Sequence, residues 1–290
     1  EDYTAFSEKL NVHDITFIPV SALTGDNVVE PSENMPWYEG ETVLRHLETV
    51  TIAADRNLVD FRFPVQYVIR PHLDFRGYAG RISSGTIKPG EEVMALPSGM
   101  QSKVKEIVTA DGNLDEAFDE QSVTLTLEDE LDISRGDMIV RKNNLPIVDT
   151  RFDATLSWMD EEKSLSTTNH YMLQQTTRLV SAYVRDLNYK IDINTLHRDK
   201  SADTLELNEM GRVQIETSSP LFFDEYNRNR ETGGFILIGP ATNRTVAAGM
   251  IRGQVKSYES PQGKYETEIS SNVTWEQRTI TRDMREERNG

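Results

Sequence analysis

Residues 61–96, FRFPVQYVIRPHLDFRGYAGRISSGTIKPGEEVMAL, decide the fold class. Phe61, Phe63, Val65, Tyr67 and Ile69 recur at period two, with Arg62 and Gln66 opposite, as a half-buried strand requires. Pro64 has no N–H to offer a neighbour, which places this strand at a sheet edge there. Gly77, Gly80 and Gly85 punctuate the next strand where a small barrel bends or bulges. Lys88-Pro89-Gly90-Glu91 has proline and glycine in the order of a type II turn, and a further strand over Glu92–Leu96 follows. The stretch predicts the first strands of a small closed β-barrel and not the surroundings of an active site.

The pattern continues downstream. Val104–Val108 is a strand, Val123, Leu125 and Leu127 alternate on another, and the tight turn Arg135-Gly136-Asp137 leads into Met138-Ile139-Val140. A second barrel begins near Arg151, where Phe152, Ala154, Leu156 and Trp158 alternate. Its further strands are expected at Tyr171–Leu173, Leu179–Val184, Tyr189–Ile193, Asn208–Ile215, Ser219–Leu221, Gly233–Ile238 and Thr245–Ile251. Short strands with frequent turn signals mean an all-β barrel or sandwich.

Residues 1–50 differ, reading as α/β. A polar helix over Ala5–Leu10 leads to the apolar strand Ile15–Val20, then to Ser21-Ala22-Leu23-Thr24-Gly25-Asp26-Asn27 and the irregular loop Asn34–Tyr38. Val43, Leu44, Leu47 and Val50 have helical spacing in a helix over Thr42–Val50. The expected organisation is therefore mainly β: residues 1–50 end an α/β unit, 51–60 are a linker, 61–149 and 150–255 are barrels, and 256–290 are a linker and a charged tail.

A chain of 290 residues that is 37% hydrophobic holds more than one domain with ample core. No segment has the apolar length of a membrane span, and cysteine is absent, which removes disulfides, thiolate metal sites and thiol nucleophiles together. The start, Glu1-Asp2-Tyr3, has neither Met nor an apolar signal region, so an internal piece of a longer cytoplasmic protein is expected. The net charge of −17, from 48 acidic against 31 basic residues, argues against a broad phosphate-binding surface.

Several tempting motifs fail on spacing. Asp111–Glu116 lacks the glycine and glutamate positions of a calcium loop and is an Asx-rich turn. Glu128-Asp129-Glu130 places adjacent carboxylates on opposite faces, where they share no proton. His13, His46, His72, His170 and His197 lack metal-ligand spacing. There is no GxxxxGK[ST] loop: Gly263-Lys264 is followed by Tyr265 and has no glycine at the upstream position. Neither catalytic nor metal-ligating residues are assigned, and the isolated chain, without a phosphate cradle, is expected to be inactive by itself.

Residues 76–93, RGYAGRISSGTIKPGEEV, followed by Asp132-Ile133-Ser134-Arg135-Gly136-Asp137, resemble the second domain of translation-factor-type GTPases. The nearest resemblance is to the large GTPase subunits of bacterial sulfate adenylyltransferase. The second-barrel runs resemble the third domain of the same fold, with Asp192-Ile193-Asn194-Thr195-Leu196 favouring the sulfate enzymes. Ser271-Asn272-Val273-Thr274-Trp275 and Thr281–Gly290 resemble the leader of adenylylsulfate kinase in the bifunctional form. The resemblance implies two translation-factor-type β-barrels after the C-terminal remnant of a GTPase domain, whose close resembles Met35–Gly40. The strand followed by Ser21-Ala22-Leu23 resembles the guanine-recognition loop, in which backbone amides meet the guanine carbonyl oxygen and the serine hydroxyl braces a second loop. It further implies GTP, with magnesium held by residues upstream, and a smaller catalytic subunit as partner, with neither nucleic acid nor membrane. The rival within the superfamily is a pair of elongation-factor barrels binding aminoacyl-tRNA. Against it stand the acidic balance and a basic cluster no larger than Lys103, Lys105, Arg141 and Lys142. Gln174-Gln175-Thr176-Thr177-Arg178 departs from the pattern, lying where a more basic or His-containing turn is expected.

Overall fold

The computed structural model describes residues 3–4, 7, 15–50, 57–72 and 75–255. The first barrel is built from β1 (Arg62–Ile69), β2 (Gly77–Arg81), β3 (Thr86–Ile87), β4 (Glu92–Leu96), β5 (Met100–Thr109), β6 (Gly112–Leu114), β7 (Ala117–Phe118), β8 (Ser122–Leu127) and β9 (Met138–Arg141). Six of these run in the order β4-β9-β1-β2-β8-β5, and β5 pairs back to β4, closing an antiparallel ring; β6 extends from β5, and β3 pairs with β7. Closure leaves the six-stranded ring without an open edge; only the short β6 and the β3–β7 ribbon keep theirs. The second barrel uses β10 (Ile147–Trp158), β11 (His170–Gln175), β12 (Arg178–Ile191), β13 (Arg198–Asp199), β14 (Met210–Phe223), β15 (Gly234–Ile238) and β16 (Thr245–Gln254). It closes the same way, in the order β11-β15-β16-β10-β14-β12 with β12 returning to β11.

Period two explains both interiors. Phe61, Phe63 and Val65 enter the first core with Tyr78, Ile107 and Leu125, and the Phe61 and Phe63 rings stack 6.4 Å apart. Phe152, Ala154, Leu156 and Trp158 enter the second, where Phe152 meets Phe223 at 5.4 Å and Phe235 at 5.6 Å. The type II turn forms as expected, with Gly90 at φ +86° and the Glu91 N–H donating to the Lys88 carbonyl.

Five expectations are corrected. Tyr67 points outward and is 67% exposed, because the β1–β2 register shifts between Val65 and Tyr67. That bulge at Gln66 reverses the alternation, and Val68 takes the inward place. Pro64 is not at an edge, since β1 lies between β9 and β2; its paired neighbour is Met138, and pairing with β2 begins only at Val65. Residues 15–20 form no strand: they have no sheet neighbour among the described residues, and Phe17 and Val20 stay exposed. The strands expected separately at 179–184 and 189–193 are one strand, β12, carried past its polar middle by two register shifts against β14. The strands expected at 208–215 and 219–221 are likewise one strand, β14, which begins only at Met210.

The helix expected near residue 42 is α1 (Val43–Thr49), with Thr42 as N-cap accepting from the Arg45 N–H. A second short helix, α2 (Arg230–Gly233), is capped by Asn229. Of the helix expected over Ala5–Leu10 only Ser7, which is helical, is described; the linker residues 51–56 and the tail from 256 lie outside the described residues. Among the described residues no helix is long and apolar enough to cross a membrane.

The outward residues of certain strands are buried as well, and they form a seam between the barrels. On β9, Ile139 enters the first core while Met138 and Val140 face the other way; on β14, Leu221 and Phe223 enter the second core while Phe222 faces out. Met138, Val140 and Leu96 pack on Phe222 as a separate apolar cluster. Arg62, between Phe61 and Phe63, is 1% exposed. The expectation that Arg62 lies opposite the core residues holds, but what covers that face is the second barrel and not water.

Candidate functional site

Two places combine unusual backbone with concentrated polar contacts. The first is the loop after Pro19. The Gly25 N–H donates to the Ser21 carbonyl at 2.8 Å and the Ser21 N–H to the Asp26 carbonyl at 3.3 Å, closing a turn in which Gly25 has φ +80°. Asn27, only 2% exposed and at φ +58°, fixes this turn to its surroundings. Its Nδ2 donates to the Pro19 carbonyl at 2.9 Å, and its Oδ1 accepts from the Ser32 N–H at 2.8 Å. The Asn27 and Val28 carbonyls accept the Val43 and Leu44 N–H groups at 3.0 and 2.9 Å. Those are first-turn donors of α1 that have no partner within a helix, so loop and helix end satisfy one another.

Asp26 holds the same loop from its other side. Its carboxylate accepts from Ser32 Oγ at 2.6 Å, from Thr24 Oγ1, and from Asn34 Nδ2 at 3.0 Å. The Ser32, Thr24 and Asn34 hydrogen bonds, in that order of size, keep its pKa below the ordinary carboxylate value, so it stays charged at neutral pH. Ser21 Oγ accepts from the Thr24 N–H at 3.4 Å and lies 2.7 Å from Thr24 Oγ1. The Ala22 and Leu23 backbone N–H groups have no partner among the described residues, and Leu23 is 96% exposed. The three residues singled out by sequence thus lie together on one tip, with two free donors in succession. Asp26 and Asn27, which hold the tip, were passed over; an Asp-Asn pair after a Thr-Gly turn is the signal that points to them.

The second place is the seam. Arg62 donates from Nε and Nη2 to the Asp224 carboxylate at 2.8 and 2.9 Å, and from Nη1 to the Phe61 and Asn144 carbonyls and Asn144 Oδ1. In the reverse sense, Arg228 donates from Nε and Nη2 to Asp60 at 2.7 and 2.8 Å. Each barrel side therefore supplies one arginine and one aspartate to two bidentate pairs. Burial alone would raise the Asp60 pKa, but the hydrogen bonds from Arg228, Asn57 and Asn144 outweigh it and hold the group well below the carboxylate range. The departure noted at Gln174–Arg178 lies at the same seam. Gln175 is 1% exposed and donates to the Phe222 and Thr232 carbonyls, Thr176 has φ +49°, and Arg178 lies 4.8 Å over the Phe222 ring and donates to the Gly136 carbonyl. The turn is thus a packing element between barrels, through Arg178. Among the described residues no group of three His, Asp or Glu side chains could hold a metal ion.

Comparison with known proteins places this architecture. Residues 151–252 match the family described as GTP-eEF1A C-terminal domain-like. The chain is 55% identical over 262 residues to the bifunctional enzyme CysN/CysC of Rhodopirellula baltica, covering 90% of this chain and 40% of that protein. It is 53% identical over 255 residues to sulfate adenylyltransferase subunit 1 of Bacteroides fragilis, covering 88% and 53%. A bifunctional enzyme CysN/CysC of Mycobacterium tuberculosis is 51% identical over 255 residues, covering 87% and 42%. The chain spans about half the length of the curated relatives it matches. Among solved structures, sup35 complexed with GMPPNP superposes with a TM-score of 0.64 at 22% identity, covering 82% of this chain and 58% of that one, a likeness of fold. The chain is thus a homologue of sulfate adenylyltransferase subunit 1 and of the bifunctional CysN/CysC enzymes, built on the paired β-barrels of the translation-factor-like fold.

Proposed function

We propose that this chain is the middle of a GTP-hydrolysing large subunit of sulfate adenylyltransferase, and that its barrels couple the state of the GTPase to a smaller catalytic subunit. In this reading residues 1–50 end the GTPase domain, 61–149 and 150–255 are the coupling barrels, and 256–290 lead toward an adenylylsulfate kinase domain. The assembly makes adenylyl sulfate and pyrophosphate from ATP and sulfate in the cytoplasm, an uphill reaction that GTP hydrolysis drives. The observation that carries the proposal is the 51–55% identity along nearly the whole chain to proteins of that name.

The Ser21–Leu23 tip supports a guanine-binding role within it. The Ala22 and Leu23 N–H groups have no partner among the described residues and belong to exposed residues, as donors to a nucleobase carbonyl must, and Asp26 and Asn27 hold the loop in place before any ligand arrives. Ser21 Oγ stands 2.7 Å from Thr24 Oγ1, within hydrogen-bond reach at the base of the tip. Magnesium and the phosphates belong to residues upstream of this chain. The described barrel residues offer no constellation for adenylyl transfer, so that chemistry falls to the partner.

The test is made on the full-length protein. Ala22→Pro deletes one of the two donors, and loss of one hydrogen bond worth about 1–1.5 kcal/mol weakens GTP binding roughly tenfold. Mixed with the smaller subunit, the unaltered protein forms a complex and makes adenylyl sulfate only with GTP. Salt-sensitive binding of aminoacyl-tRNA, without binding of that subunit, overturns the proposal in favour of an elongation-type factor.

A further inference from the structure

We infer that Asp60 is a positioning residue that fastens the entry of the first barrel directly to the second barrel, so that a displacement reaching Asn57–Asp60 moves both barrels together. The inference rests on the coupling role proposed above and names the residue that would carry it.

Asp60 is 3% exposed. An ionised carboxylate offers about four lone-pair sites, and here all are used. Oδ1 accepts from Arg228 Nη2 at 2.8 Å and Asn144 Nδ2 at 2.7 Å; Oδ2 accepts from Arg228 Nε at 2.7 Å and Asn57 Nδ2 at 2.7 Å. Its main chain is engaged too. The N–H donates to Asn57 Oδ1 at 3.0 Å, and the carbonyl accepts from Ser84 Oγ, which in turn accepts from Asn229 Nδ2 at 2.8 Å. Four parts of the chain meet there: the linker at Asn57, the first barrel at Ser84, the connection between barrels at Asn144, and the second barrel at Arg228 and Asn229.

Chain connectivity alone would join the linker to the second barrel only by way of the whole first barrel and the short connection after β9. Asp60 makes a direct link. The oppositely directed Arg62–Asp224 pair stands beside it, and Asn144 joins the two, accepting from Arg62 and donating to Asp60. Rotation of one barrel over the other would break two bidentate pairs at once, and because Asp60 lies two residues from Arg62 neither pair yields separately. Asparagine at position 60 cannot substitute: its amide places a donor toward Arg228 or Asn57, which are donors themselves.

The chain has no cysteine, so spin labels can be placed without background at exposed positions through Lys105→Cys in the first barrel and Asp203→Cys in the second. The unaltered chain should give one narrow inter-label distance distribution. Asp60→Asn should at least double its width, while Glu209→Gln, which breaks the Lys190–Glu209 pair within the second barrel, should leave it unchanged. A distribution in Asp60→Asn that superposes on the unaltered one overturns the inference. In the complete assembly with its partner, Asp60→Asn should raise the GTP consumed per adenylyl sulfate formed by at least about fivefold, the low end of inter-site coupling factors, with GTP hydrolysis itself unchanged. A wider distribution with an unchanged ratio overturns the coupling role. If the unaltered assembly makes adenylyl sulfate independently of GTP, the proposed function fails, and the distance measurement still decides whether Asp60 fastens the barrels.

Discussion

Removing the Asp224 carboxylate should cost the protein more than any surface substitution, because it leaves the Arg62 guanidinium buried and half-unpaired. Arg62 and Asp224 are 1% and 4% exposed, so water screens neither. In Asp224→Ala, Arg62 Nη1 keeps its bonds to the Phe61 and Asn144 carbonyls, while Nε and Nη2 lose their acceptors. Thr232 Oγ1, which donates to the same carboxylate at 3.0 Å, loses its acceptor as well. Breaking one side of a buried pair in this way costs about 3–5 kcal/mol. The double variant Arg62→Met with Asp224→Leu sharpens the reasoning. Exchanging a buried ion pair for apolar groups is elsewhere neutral or stabilising by about 1–4 kcal/mol. Here the exchange strips the donor from the Phe61 and Asn144 carbonyls, and an unsatisfied buried acceptor costs about 1–3 kcal/mol each. The double variant should therefore lie between Asp224→Ala and the unaltered protein. Urea titration followed by far-ultraviolet circular dichroism and by fluorescence of Trp158, buried in the second barrel, measures all three. The two probes should coincide in the unaltered protein and separate in Asp224→Ala, as the barrels lose their common transition. A loss below about 1 kcal/mol in Asp224→Ala, or a double variant more stable than the unaltered protein, would show that the seam does not depend on this pair.

Burial raises the Asp137 pKa, against the Ser134 N–H and Arg178, which lower it. A carboxyl whose folded value is raised stabilises at low pH and loses that contribution as pH rises through it, so Asp137→Asn should be more stable than the unaltered protein at pH 7, with the advantage vanishing on acidification. Asp60 has the opposite sign, and its contribution, complete above the ordinary carboxylate range, should fade as acid titrations descend through it. Gly85→Ala should destabilise by at least about 2 kcal/mol in thermal or urea unfolding: φ is +79°, a left-handed cost of about 1–2 kcal/mol, and the added Cβ would lie 2.5 Å from the Phe61 Cα. Thr176→Gly should stabilise by about 1 kcal/mol, since a β-branched residue at φ +49° stores about 1–3 kcal/mol that exceeds the entropy glycine adds to the unfolded chain.

How far the sequence could be read depended on what covers each face of a strand. Where one face is core and the other water, period two sufficed: Phe152, Ala154, Leu156 and Trp158 stand where alternation puts them. Alternation failed at Tyr67, because one inserted residue at Gln66 inverts every position after it and no residue type there announces the bulge. It was incomplete at the seam, where alternation says which way a side chain points but not what waits on that side. Yet Met138-Ile139-Val140 and Leu221-Phe222-Phe223 carry a signal of their own, since a strand without polar positions is covered on both faces. An arginine flanked by phenylalanines, as at Phe61-Arg62-Phe63, then faces that covered side and requires a buried acid. The acid, Asp224, directly follows Phe223, the last residue of the strand that supplies Phe222, so two apolar triplets, an arginine between phenylalanines and an aspartate after one locate the contact between the barrels. The Ser21–Leu23 tip was located by resemblance alone. The forces that shape it, Asp26 gathering three donors and Asn27 tying Pro19 to the start of α1, act among polar residues that carry no periodicity.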